Sequence, residues 1–124
     1  GMPPVLDLEW NPFSPTCTLR PPAEEVRRVA TRFINIIERH YQTRVVVYTA
    51  PDFWGRNSVA RLKRDFWLRS TAKHVESKCG HDDWTFWQYT ATGVLEGVQK
   101  EVDINCFNGS RDQWAQWLQA RAVR

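Results

Sequence analysis

Two carboxylates, Asp7 and Glu9, stand two residues apart in the segment Pro4-Val5-Leu6-Asp7-Leu8-Glu9-Trp10. On an extended strand, residues at that spacing point to the same face, with α-carbons about 6.6 Å apart. Like charges so placed raise each other's pKa, and burial raises it further. The carboxyl in the drier setting then keeps its proton and can act as a general acid, while its partner stays ionised. Cleavage of a glycosidic bond needs such a pair: one group to protonate the leaving oxygen, the other to activate water or stabilise an oxocarbenium-like transition state. A D-x-E at a strand end also serves in salt bridges and metal sites, so the surrounding elements must decide.

The pattern of the chain predicts how that strand is held. Residues 4–10 read as a strand, and residues 11–22, with four prolines, as a loop. A helix is predicted over Ala23 to Tyr41, its apolar face formed by Val26, Val29, Ala30, Phe33, Ile37 and Tyr41. Glu24 and Glu25 fall in its first turn, where the helix dipole favours negative charge. The β-branched run from Arg44 to Thr49 reads as a strand buried on both faces. Ala50 to Gly55 reads as loop, Ser58 to Lys63 as a short basic helix, and Phe66 to Arg69 as the next strand. After a polar connection to Asp83, strands are predicted over Thr85 to Thr90 and Val102 to Ile104, with a turn between them. Ser110 and Gln113 have the spacing of a capping box, opening a last helix with Trp114, Trp117, Leu118 and Arg121 on one face. Strands alternating with helices imply an α/β fold with mostly parallel pairing, in one domain over residues 1–124.

Composition narrows the function. Seven tryptophans in 124 residues suit a sugar-binding cleft, where a pyranose face packs on an indole. Large rings also fill cores, and most of the seven are expected there, with two or three lining a groove. The net charge of +3 is ordinary for a globular domain, and no basic block or recognition motif accompanies it. A nucleic-acid partner is therefore not expected; an acidic strand at the contact face would oppose one. No apolar run approaches the roughly 20 residues that span a bilayer. Cys17, Cys79 and Cys106 form no C-x-x-C pair, and His40, His74 and His81 lack metal-ligand spacing. No metal or organic cofactor is expected. Cys17 and Cys79 both lie in loop-like sequence that would permit a disulfide. Gly1-Met2 reads as cloning-derived, fused to an internal starting point.

The acidic strand has company. P-V-L-D-L-E-W, V-V-V-Y-T, F-W-L-R-S, W-T-F-W-Q-Y-T-A-T-G and V-D-I-N-C-F-N-G follow one another in that order. With these segments the chain resembles glycoside hydrolase family 25, the Chalaropsis-type lysozymes, from about Pro3 to Leu118, and its F-W-L-R-S resembles the proteobacterial branch. The resemblance implies a muramidase cutting the β-1,4 bond between N-acetylmuramic acid and N-acetylglucosamine in peptidoglycan glycan strands. It implies Glu9 as general acid, Asp7 as the group that positions or stabilises the reacting sugar, and Asp103 as a third carboxylate. Trp10, Tyr48, Trp67, Gln88 and Tyr89 would line the cleft. By residue type alone, Tyr48 and Trp67 read equally as core, Gln88 as the partner of a buried backbone group, and Asp103 as a turn cap.

The family's fold is an irregular barrel of eight strands ringed by helices. About five strands and three helices would be present here, a partial TIM-like (β/α) barrel beginning at the middle of the domain. The strand carrying Asp7 and Glu9 would then have a free apolar edge, and two copies packing edge to edge as a homodimer would cover it. A wall-degrading role implies a periplasmic or secreted protein. A glycan-binding piece without turnover is the alternative.

Overall fold

The computed structural model describes residues 1–76 and 84–124. The expected Cys17–Cys79 pairing falls outside them, because Cys79 is not among the described residues; among those that are, Cys17 and Cys106 form no disulfide.

Five strands form one sheet in sequence order: β1 (Val5–Leu8), β2 (Val46–Thr49), β3 (Asp65–Arg69), β4 (Phe86–Gly93) and β5 (Val102–Phe107). The first four pair in parallel and β5 returns antiparallel to β4. Helix α1 (Ala23–Tyr41) links β1 to β2, α2 (Pro51–Asn57) and a 3₁₀ turn (Val59–Leu62) link β2 to β3, and α3 (Arg111–Arg121) follows β5. This is the α/β partial barrel read from the sequence.

The strand period of two divides the sheet. One face sends Val45, Val47, Phe66 and Leu68 against Ala30 and Ile34 of α1 and Phe53 and Trp54 of α2, and that layer is the hydrophobic core. The other face carries Tyr48 and Trp67 at the intervening positions. Helix α3 packs low on this second face: Trp114 and Trp117 lie edge-on to Phe86, and Trp117 and Arg121 both hydrogen-bond the Asp65 carboxylate at the start of β3. The capping box forms as expected, Ser110 accepting from the Gln113 N–H and the Gln113 side chain accepting from the Ser110 N–H.

Two local expectations are corrected. Residues 51–57 are helical, because Pro51 sits at the first helical positions, where its fixed φ and missing N–H fit, and Gly55 is accommodated within the turn. The apolar face of α1 is borne out only in part: Val26, Ala30 and Ile37 pack on the core as expected, joined by Ile34. Ala30 and Ile34 are buried, whereas Val29, Phe33 and Tyr41 are exposed. The exposed flank borders the free side of β1, and with Leu6, Leu8 and Val26 it lines an apolar groove of about 540 Å³.

Glu38 near the end of α1 ties the helix to the sheet. Its carboxylate accepts from the Val45 N–H at 2.9 Å and from two nitrogens of Arg64 at 2.8 and 3.1 Å. Burial alone would raise its pKa; the hydrogen bonds from Arg64 and Val45, with the charges of Arg64 and Arg44, outweigh that and hold it below the usual 4.5. A depressed carboxyl contributes stability that is present above its unfolded pKa and lost as pH falls through the folded one. Denaturant unfolding should therefore show stability declining as pH drops below 4.5, and Glu38→Gln should flatten that decline while costing roughly 1–3 kcal/mol at pH 7.

Candidate active site

The face opposite the core is organised by register. Asp7 pairs with Tyr48, Tyr48 with Trp67, Trp67 with Phe86, and Phe86 with Phe107, so one row crosses all five strands. A second row, two residues further along, contains Arg69, Gln88 and Asn105. Parallel strands place their carboxyl ends together, and ligands of such sheets bind at those ends. Glu9, one residue past β1, belongs to that rim.

The side chains interlock. Tyr48 and Trp67 meet edge-to-face at 5.3 Å between ring centroids, and Trp67 meets Phe86 at 5.8 Å. The Trp67 indole N–H donates to Asn105 Oδ1 at 2.7 Å, and the Tyr48 hydroxyl donates to Gln88 Oε1. Gln88 is buried, while Tyr48 and Trp67 are half-buried, so the aromatic row forms a partly open floor.

Three carboxylates stand around that floor. Asp7 and Glu9 are exposed residues whose carboxyls are close enough to hydrogen-bond each other. Partial loss of hydration raises the Glu9 pKa above 4.5; the hydrogen bond with Asp7 and its negative charge add to the rise, and the Arg69 guanidinium opposes it. The Tyr48 hydroxyl is pushed up to about 12, by burial first and then by the charges of Glu9, Asp7 and Asp103, against the opposing pull of Arg69. Tyr48 is thus a neutral donor at any physiological pH. Asp7, Glu9, Arg69 and Asp103 all act electrostatically on one phenol.

Residues 1–98 match the profile of the glycosyl hydrolases family 25. Lysozyme M1 of Streptomyces globisporus is 37% identical over 121 residues, which is 88% of this chain and 38% of that protein. A family 25 glycosyl hydrolase from Bacillus anthracis superposes with a TM-score of 0.78 at 28% identity, over 93% of this chain and 54% of that one. A bacterial lysozyme from Streptomyces coelicolor superposes with a TM-score of 0.71 at 34% identity, over 90% and 54%. The chain belongs to glycosyl hydrolase family 25. It spans about half the length of those two solved members and a smaller share of lysozyme M1. The family 25 match ends before β5, so Asp103 is tied to the site by electrostatics and sheet order.

Within this family 25 chain, Asp7, Glu9, Tyr48, Trp67, Gln88 and Asp103 gather on one face. Trp10 and Tyr89 are placed elsewhere. Trp10 packs on Phe53 at 4.6 Å beneath the Arg20 guanidinium, and its buried indole N–H has no acceptor among the described residues. With Glu9, Arg20, Asp52 and Arg56 it lines a cavity of about 330 Å³ at the strand ends, so it touches the site from the core side. Tyr89 leans on Trp87, a ring of the core layer, at 5.7 Å. Of the remaining indoles, Trp54 and Trp84 are buried in the core and Trp114 and Trp117 stack on α3.

Sequence reading passed over two members of the constellation. Asn105 is fixed by the Trp67 indole, and Arg69 stands beside Gln88. The period-two step from Trp67 to Arg69 and from Asp103 to Asn105 was the available signal.

Tyr48→Phe should leave the buried Gln88 oxygen without its donor and cost roughly 1–3 kcal/mol in denaturant unfolding. Trp67→Phe should cost less, because Asn105 is exposed and water can replace the indole. An equal loss for both would contradict this ordering of burial.

Proposed function

We propose that this chain carries the acid chemistry of a peptidoglycan muramidase, hydrolysing the β-1,4 bond between N-acetylmuramic acid and N-acetylglucosamine. The observation that carries the reading is the Asp7–Glu9 contact, with Glu9 held above its ordinary pKa beside a partner carboxyl. Glu9 donates its proton to the glycosidic oxygen, and Asp7 stabilises the positive charge that develops on the sugar or orients its N-acetyl group. The Tyr48–Trp67 floor receives a pyranose face, Gln88 holds the Tyr48 hydroxyl, and Asp103 adds negative charge from the far side. Trp10 borders the site from the core side. Membership of family 25 and the likeness to lysozyme M1 support the hydrolase reading. Action on a cell wall goes with a periplasmic or secreted site; no helix of the structure, among the described residues, is long and apolar enough to cross a membrane.

The second reading is a glycan-binding piece without turnover, favoured by the share of its relatives that the chain covers. Pull-down on insoluble peptidoglycan with no release of reducing ends would select it. Self-association through the free β1 edge and its apolar groove belongs to the same proposal, and a strict monomer in sedimentation at micromolar concentration would remove that part.

The catalytic test is Glu9→Gln. Reducing-end release from peptidoglycan should fall by about 100-fold or more, with the unfolding free energy unchanged within about 1 kcal/mol. Undiminished release would overturn the role of Glu9. A general acid works while protonated, so the rate should drop as pH rises through the Glu9 pKa. Asp7→Asn removes the neighbouring charge and should move that descending limb to lower pH.

A further inference from the structure

The acidic rim presents a difficulty for an anionic substrate. The charges of Glu9, Asp7 and Asp103 all act on Tyr48, and a peptidoglycan strand carries carboxylates of its own: the lactyl group of muramic acid where the strand is bare, or the peptide stem where it is substituted. Each would be repelled by the site unless a cation met it.

Arg69 meets the requirement. It is the last residue of β3, two positions beyond Trp67, so strand alternation turns it to the aromatic floor rather than the core. Leu68 and Ser70 on either side of it are buried, whereas Arg69 itself is exposed. Its register partner is Gln88, the residue holding the Tyr48 hydroxyl. Its charge acts on both Glu9 and Tyr48. Its guanidinium nevertheless makes no ion pair or hydrogen bond with any described residue. The half-buried arginines among the described residues are spoken for: Arg27 by the Asn57 carbonyl, Arg64 by Glu38 and Arg121 by Asp65. A guanidinium left unpaired among carboxylates, at the rim of a cleft, keeps its fork of donors for a planar anion.

We propose that Arg69 is a substrate-binding residue that takes a carboxylate of the glycan strand, setting the preference of this site for muramic-acid-containing over neutral N-acetylglucosamine polymers. This rests on the glycan reading above and adds to it the residue that selects the anionic sugar. Arg69 also offsets part of the repulsion between the bound anion and Asp7.

Calorimetric titration of the chain with three probes tests it: a bare N-acetylglucosamine–N-acetylmuramic acid tetrasaccharide, the same glycan bearing peptide stems, and chitotetraose as the neutral control. The wild-type chain should bind at least one carboxylated probe about tenfold more tightly than chitotetraose, with the preference shrinking as salt is raised. Arg69→Gln should remove that preference while leaving chitotetraose binding within about twofold, and Arg69→Lys should keep part of it. The probe that loses affinity identifies the lactyl or the stem carboxylate as the ligand. An unchanged preference in Arg69→Gln, or no preference in the wild type, would overturn the inference and leave the glycan reading standing. Failure of the wild type to bind any of the three would overturn the glycan reading itself. A structural role alone would weaken all three probes together.

Discussion

The structure depends on the parallel register that brings Asp7, Tyr48, Trp67 and Phe86 into one row across β1 to β4. With a side-chain period of two, a slip of one residue in any strand would exchange its core face for its cleft face. In β2 it would drive the Tyr48 hydroxyl into the layer now filled by Val45 and Val47, which are at most 1% exposed. The hydrophobic layer therefore fixes the chemistry above it. Burial of valines, phenylalanine and leucine on one side leaves the opposite side no choice about which groups it presents.

On that side, electrostatics is collective. Asp7 raises Glu9, Arg69 restrains the rise, and Tyr48 feels all of them together with Asp103. The arrangement differs from the ion pairs elsewhere in the fold. Glu38–Arg64 and Asp65–Arg121 are bidentate, half-buried contacts that fasten α1 and α3 to the sheet and draw their charges inward. The rim carboxylates are exposed, as is Arg69, which makes no ion pair among the described residues. Charges that hold the scaffold are matched within the molecule; those at the rim are left to be matched from outside.

Much of this was legible in the sequence, for physical reasons that also set the limits. The β-branched run ending at Thr49 and the alternation around Asp7 announce strands, and Ser110 with Gln113 announces a cap, because each signal is local. Helix α2 was hidden because Pro51 opens it and Gly55 lies within it, and both residue types also make loops. The face of α1 could be read only in part, since Ile34 and Phe33 are both apolar and only the packing of β1 against the helix chooses between them. Among the site residues, Trp10 and Tyr89 are the ones set apart, and each directly follows a member of the cleft, Glu9 and Gln88. Neighbours on an extended strand point to opposite faces, so a motif written as consecutive letters groups residues that the pleat separates.

The position of Glu9 draws these threads together. It lies one residue beyond the last paired position of β1, on the strand that ends the sheet, and among the described residues its strand neighbour is β2. Its raised pKa begins with lost hydration, yet the residue is still exposed, and among the described residues no strand flanks β1 on the side away from β2. Whatever covers that side removes more water from the carboxyl and strengthens its interaction with Asp7, because both effects grow as the local dielectric falls. A sugar ring seated on the Tyr48–Trp67 floor would cover it. Binding and acid strength are then coupled at one atom: the substrate that needs the proton is also what keeps the proton in place.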